Sequence, residues 1–445
     1  MAKSKNIVKK AKNSISLLLI LVVAISWMCA VTTLTGNQAE EAQETLVLQA
    51  QEYLKDKLYI RAIENYENAL KDYKTDNNVK LQAELLNIYL EAGMLAEYYG
   101  LMETRIEEGV AQEEEYLKLA DYYLEQEAIS RAITVLQKGI AQYENEEMIQ
   151  RKEACIYGSR VEELDVQQAI QPSDNWLIPS FDGNKWGYVD DGGTIRLDFI
   201  YEEATSFCNG YAVVKINGVY TVINEDGQWY GVDKMGLDAI AGISENSIVG
   251  IKDGKYGIYS KSFKLRTEET FDHLYIHEDG LYVAKKGDKW GVLDKNLKTI
   301  VDYGLTDVVE NSRGTIFHGG CAIVNDGTGY YHMDAKGKAL YDTRFADAKG
   351  YEGGLVAVAN ESGEWGIANS KGKLVVDYQY EDAFSFSSKL AAVKVDGKWG
   401  YINQYNQMVI EAEYEMAFPF IGKKALVHTF MDSYKVITLM YYDLF

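Results

Sequence analysis

Five histidines and four cysteines are the residues of this 445-residue chain best suited to metal binding or nucleophilic chemistry. His273 and His277 stand four apart, a spacing that aligns two metal ligands on a helix but not on a strand. The residues around them read as strand and loop, so no metal site follows. Cys29, Cys155, Cys208 and Cys321 are widely separated, with no CxxC pair and no Cys/His spacing of the zinc type. Free thiols are the expected state, and the sequence leaves a disulfide between distant cysteines open. Gly319-Gly320 is not followed by Lys-Ser/Thr, so no phosphate loop is indicated. Acidic residues are abundant, yet no two can be singled out as an acid/base pair. The expectation is no catalytic residue, no metal ligand and no cofactor.

Composition narrows the class. Apolar residues make up 47% and charged residues 25%, a folded composition long enough for two or three domains. The net charge of -22 argues against nucleic acid, because phosphate binding needs a basic surface.

The N-terminus carries Lys3, Lys5, Lys9, Lys10 and Lys12 without an acid, and an apolar run follows from Ile15 to Leu34. Twenty helical residues span roughly 30 Å, the thickness of a bilayer core. Eleven of them are Leu, Ile or Val. On an insertion scale these contribute on the order of -3 to -7 kcal/mol. Glu40, Glu41 and Glu44 come next. The charge asymmetry predicts a cytoplasmic tail over 1–13, a transmembrane helix over 14–36 and an extracytoplasmic remainder. The rival is a cleaved signal peptide. Against it, the run is long and Asn37-Gln38-Ala39 is a poor cleavage site.

Residues 41–165 read as helical. Apolar positions recur at helical spacing, as in Leu48, Tyr53, Leu54 and Leu58. Tyr59-Ile60-Arg61-Ala62-Ile63 returns as Ile129-Ser130-Arg131-Ala132-Ile133, with Leu85 to Gly93 as the start of a middle unit. The stretch resembles three TPR units, about 46–78, 80–112 and 114–146, with a capping helix near 147–164. Ala62 and Ala132 then sit where two helices approach closely. Such stacks usually offer a groove to a peptide or protein.

Residues 173–445 change texture. Short apolar runs alternate with turn pairs such as Asp182-Gly183, Asn217-Gly218, Asp253-Gly254 and Asp396-Gly397, a strong hairpin signal. An aromatic follows most of them: Trp186-Gly187, Tyr220-Thr221, Tyr256-Gly257, Trp290-Gly291, Tyr330-Tyr331, Trp365-Gly366, Trp399-Gly400 and Tyr434-Lys435. The steps between them are 34, 36, 34, 40, 35, 34 and 35 residues, which marks a repeat array. Lys185-Trp186-Gly187, Lys289-Trp290-Gly291 and Lys398-Trp399-Gly400 resemble the WG (KWG) repeat family. The resemblance implies a bacterial repeat module without an assigned catalytic activity, and its signature residues read as structural. Alternation along a strand puts Trp399 and Tyr401 on one face and Gly400 on the other, where it leaves room for an adjacent backbone or ring.

The expected fold class is therefore multidomain, with helical hairpins followed by an all-β repeat domain. Four short strands per unit suit a propeller, with seven full units from about Leu177 to Phe420 and an eighth half-unit, Ala425 to Leu444. An open β-solenoid is the alternative. The functional expectation is a membrane-anchored binding or scaffolding protein with a protein or peptide partner. The alternatives are a propeller-type hydrolase acting on an envelope or extracellular polymer and a structural spacer.

Overall fold

The structure, a computed structural model, describes residues 38–441 apart from 73–76, 174, 209, 231–235, 245–246, 263, 268–270, 277–280 and 313. The proposed anchor at 14–36 and His277 lie outside the described residues. Among the described residues no helix is long and apolar enough to cross a membrane, and no disulfide joins Cys155, Cys208 and Cys321. Two compact units divide the chain near Lys152.

The first unit is helical. Its elements are α1 (38–55), α2 (Tyr59–Asp72), α3 (Asn78–Glu91), α4 (Leu95–Glu107), α5 (Glu113–Glu125), α6 (Ile129–Tyr143) and α7 (Glu146–Cys155). Each of α2 to α6 packs on its neighbour in sequence, as short connections dictate. Ala62 and Ala132 are fully buried, and both fall on the fourth residue of the second helix of a pair. In the middle pair, α4 begins at Leu95, so the same position is Tyr98. One buried polar link ties three helices together. The Arg105 guanidinium on α4 donates to both carboxylate oxygens of Glu115 on α5, at 2.7 and 2.9 Å, and to the Val79 carbonyl on α3 at 2.9 Å.

The helical reading of 41–165 is too long at its end. Tyr157–Leu164 is a β-strand, paired residue for residue with Tyr434–Tyr441. Helical propensity gives way because this segment completes a sheet whose other strands lie far along the chain.

The second unit is an eight-bladed β-propeller. Blade 1 contains Gln168–Ala169, Ile178–Phe181, Trp186–Val189 and Ile195–Tyr201; blade 7 contains Asp382–Ala383, Leu390–Val395, Lys398–Asn403 and Met408–Tyr414. Blades 2 to 6 repeat this plan, with three strands in blades 3 and 5. Blade 8 is a full blade rather than half a unit: Met416–Ala417, Lys424–His428 and Tyr434–Tyr441 are joined by Tyr157–Leu164 as the outer strand. The ring is closed, not an open solenoid. A separate hydrophobic cluster fills each of the eight junctions between blades, including Leu164, Leu426 and Val436 of blade 8 against Ala169, Ile178 and Val189 of blade 1. Closure leaves no unpaired sheet edge between the first and last strands.

Local chemistry sets the blade. Where the third strand turns into the fourth, a side-chain oxygen four residues after the recurring aromatic closes the turn. Asp190 accepts from the backbone N–H of Gly192 and Thr194, at 3.0 and 2.9 Å, and Asn224, Asp294, Asp334, Asn369 and Asn403 do the same in their blades. In the last unit, which makes no such turn, the position is Thr438. Acids just before the first strand clamp the hairpin turn of their own blade: Glu202 accepts from Gly218 N–H at 3.0 Å, Asp272 from Gly287 N–H at 2.7 Å and Glu381 from Gly397 N–H at 3.1 Å. Asp190, Glu202, Asp272, Asp294, Asp334 and Glu381 are thus turn-closing acceptors.

Candidate functional site

The recurring aromatic-glycine pairs belong to the blade cores. Trp290, Trp365 and Trp399 are buried, and Trp186, Tyr220, Tyr256, Tyr330 and Tyr434 are half-buried. The Trp399 ring meets Phe384 at 5.3 Å inside the cluster between blades 7 and 8. Gly187, Gly257, Gly291, Gly366 and Gly400 are buried beside them. At Gly400, two steps along the third strand, Trp399 to Tyr401, face four along the outer strand, Tyr414 to Ile410. The outer strand bulges inward there, and a Cβ on Gly400 would lie 2.7 Å from both the Ile410 oxygen and the Ala412 nitrogen. Gly187, Gly291 and Gly366 face the same backbone approach, at 2.8, 2.9 and 2.6 Å. Blade 8, whose outer strand pairs without a shift, carries Lys435 at this position, and blade 5 carries Tyr331 although Tyr330 faces Phe345 and Met333 faces Ala339, the offsets of the bulged blades. In blades 1, 4, 6 and 7 the glycine makes room for the bulged backbone.

None of these residues lines the cavity at the centre of the ring. Blades 1 and 5 are not neighbours, yet one cavity of 410 Å³ is lined by the loops after the first strands of blades 1, 2 and 5 and by the first strands of blades 3 and 4, with Tyr211 and Val213 from the second strand of blade 2. Only the ring's axis brings five consecutive blades together. Gln171 comes from blade 1, Thr205 and Ser206 from blade 2, Ala241 from blade 3, Tyr275 from blade 4, and Glu310 and Ser312 from blade 5. The loops are stitched to one another. The Ser206 hydroxyl donates to the Gln171 carbonyl at 2.7 Å, the Ser173 hydroxyl to the Phe207 carbonyl, and the Gln171 amide to the Pro419 carbonyl of blade 8 at 3.1 Å. Asn311 reaches the Tyr351 carbonyl of blade 6 at 3.3 Å, and Ser312 N–H donates to Glu352 at 2.5 Å. The rim is thus a network spanning blade junctions, preorganised before any ligand arrives.

Electrostatics single out Glu310. It is the one Asp or Glu among the described lining residues, and no Lys, Arg or His is among them. The residue is exposed overall, yet partial desolvation of its carboxyl raises the pKa, while a hydrogen bond from Tyr275 pulls the other way. Burial and the neighbouring Glu310 together push the Tyr275 hydroxyl up to about 12. Gln171 Oε1 and Ser312 Oγ are buried without a hydrogen-bond partner. Tyr275 also lines a second cleft of 470 Å³ with Asp272, His273, Lys285 and Trp290. There His273 lies between the Tyr256 and Trp290 rings, at 4.7 and 5.5 Å, and burial lowers its pKa. No group of three His, Cys, Asp or Glu placed to hold a metal exists among the described residues.

Sequence reasoning missed the axial residues. The signal was the 40-residue step from Trp290 to Tyr330, against 34 to 36 elsewhere. The extra residues fall between the first strand of blade 5, ending at Val309, and the second, starting at Cys321, and from this stretch Glu310, Asn311 and Ser312 line the cavity.

Fold and site together define a β-propeller with a polar, loop-built cavity at its axis. The WG containing repeat model matches residues 186–220, 365–399 and 399–427, so WG repeats run from blade 1 into blade 2 and from blade 6 through blade 7 into blade 8. A search of curated proteins finds no match. Among solved structures, similarity extends to PorZ, a bacterial surface component of the type-IX secretion system of Porphyromonas gingivalis, at 7% identity over 61% of this chain and a TM-score of 0.31. This chain spans 36% of PorZ. The AfRom2 CNH domain matches at 9% identity, covering 64% of this chain and 100% of that domain, with a TM-score of 0.31. YCF48 bound to D1 peptide matches at 11% identity, covering 64% and 95%, with a TM-score of 0.29.

Proposed function

We propose that the chain is a membrane-tethered, extracytoplasmic interaction protein whose propeller engages a protein partner at its axial cavity. The observation that carries this reading is the construction of that cavity. Five blades contribute residues to it, its loops in blades 1 and 5 are hydrogen-bonded to blades 2 and 6, and its lining is mixed polar and apolar, as recognition sites are. The helical pairs, whose second members begin at 59, 95 and 129, fit a TPR-type stack that adds a second binding surface. The tether rests on the Lys-rich tail over 1–13 and the apolar run over 14–36.

The test is affinity capture from native membranes with the full-length chain, alongside an Ala241→Trp variant. Ala241 is exposed and lines the cavity, so the larger ring blocks it without entering a blade core. A partner captured by the natural chain and lost with Ala241→Trp supports the reading; equal capture by both, or none under any condition, refutes it. Protease treatment of intact cells tests topology, and a protected propeller would reverse the proposed orientation.

A further inference from the structure

Two residues past the recurring aromatic, the third strand of each blade sends a side chain into the junction with the next blade. Val222, Ile258, Val292, Ile367 and Val436 fill this position in five blades, all buried. Blades 1 and 7 place Tyr188 and Tyr401 there, and each hydroxyl donates to a backbone carbonyl of the next blade, Thr205 at 2.9 Å and Phe418 at 2.8 Å. Blade 5 departs from both patterns with His332. We infer that the junction between blades 5 and 6 is an acid-sensitive seam, which protonation of His332 opens while the rest of the ring stays folded.

The ring of His332 lies between Tyr341 of blade 5 and Tyr351 of blade 6, at 5.1 and 5.4 Å, and neither ring nitrogen has a hydrogen-bond partner. A neutral imidazole leaves one donor unmet there, whereas a protonated one leaves two and adds a buried charge. The titratable neighbours do not offset that charge. Burial raises the pKa of Tyr341, of Tyr351 and of Cys321, which is hydrogen-bonded to Tyr351. It does the same for Tyr378, from the outer strand of blade 6 in the same apolar cluster. On the strand of His332 itself, Tyr330 donates to Asp307, and Asp334 closes a turn. Burial is the whole cause of the low pKa of His332. Protonation therefore needs water at the ring, and the blade 6 side is built to part. The loop after Ala348 contains Gly350, Gly353 and Gly354, and it lacks the ring-to-carbonyl bond that Tyr188 and Tyr401 supply elsewhere. Gly350 rests backbone to backbone on blade 5, where a Cβ would lie 2.4 Å from the Asn311 Cα. Asn311 and Ser312, bonded across this seam, also line the axial cavity, so opening it would displace part of the cavity wall. The inference does not depend on what the cavity binds.

With the seam open, His332 titrates near the ordinary value of about 6.5; with it closed, at about 4. The open population is therefore constant above the upper value and grows as pH falls, by roughly 30-fold between pH 7.5 and pH 5. Hydrogen–deuterium exchange of the full-length chain, read by mass spectrometry, measures this when labelling times are scaled to the intrinsic rate at each pH. Peptides covering 321–334 and 347–358 should lose about 30-fold in protection on acidification, and those covering 186–201 and 399–414 less than about threefold. His332→Phe, which keeps a ring but cannot be protonated, should abolish the loss at the seam. His332→Val, the residue of blades 2, 4 and 8 at this position, serves as the second variant should the larger ring prevent folding. A loss at the seam that persists in a folded variant overturns the inference. So does an equal loss in all four peptides, which would be opening of the whole ring, and so does unchanged protection at the seam.

Discussion

His332 gives this propeller a definable acid sensitivity. It occupies the third strand of blade 5, is 0% exposed, and faces the edges or faces of Tyr341 and Tyr351 at 5.1 and 5.4 Å. Both ring nitrogens are buried without a hydrogen-bond partner, and burial pushes the pKa down to about 4 from the ordinary 6.5. The folded chain therefore holds the ring neutral, while the unfolded chain takes up a proton below about pH 6.5. Between these two values the unfolded state binds more protons, so stability is complete above the upper value and declines as pH falls toward the lower. A shift of about 2.5 units at ~1.4 kcal/mol per unit amounts to roughly 3 kcal/mol in all, of which about 2 kcal/mol is lost by pH 5. Carboxylates titrate in the lower part of the same window, so the measurement is a difference. Urea unfolding followed by tryptophan emission, at about pH 7.5 and pH 5, compares the natural chain with His332→Phe, which keeps a ring between the two tyrosines but cannot be protonated. The natural chain should lose about 2 kcal/mol more than the variant on acidification. Equal losses would show that His332 is hydrated or hydrogen-bonded in solution and that the reasoning from burial fails.

Gly400→Ala should destabilise the propeller by roughly 1–3 kcal/mol, because the new methyl meets the bulged backbone of Ile410 to Ala412. Gly354→Ala, where a Cβ meets nothing within 4 Å, should change it by less than about 0.5 kcal/mol, and chemical unfolding of the two variants separates close packing from chain stiffness. Arg105→Met leaves Glu115 buried without its partner and should cost about 3–5 kcal/mol by thermal or urea unfolding of the helical unit. Arg105→Met combined with Glu115→Leu should recover much of that loss, and no recovery would mean that the pair is more than a local charge match. Deleting 157–164 strips blade 8 of its outer strand and exposes the edge of Tyr434–Tyr441. Light scattering should then show association at concentrations where the natural chain stays dispersed.

Much of the blade was legible in the sequence because it is made by short-range chemistry. The Asp-Gly and Asn-Gly turns, the aromatic at near-constant intervals and the glycine behind it act within one hairpin or one sheet. Where the repeat departed from its pattern at Lys435, the departure carried structural meaning: blade 8 has an outer strand that pairs without a shift. The unit visible in the sequence and the blade visible in space are nevertheless offset by one strand. Met416–Ala417, which the repeat assigns to the unit of Trp399, is the first strand of the next blade.

By itself, then, the amino-acid order determined the helical first part, the period of the sheet modules and the residues that turn and pack them, all of which depend on neighbours within a few tens of positions. The tertiary structure alone decided how many blades there are and what stands at their centre. Tyr157–Leu164 pairs with Tyr434–Tyr441 across most of the chain, and Gln171, Tyr275 and Glu310 share one cavity only because the ring closes. A local pattern carries no information about which distant segments close a ring, since that choice is made by the packing of the whole assembly.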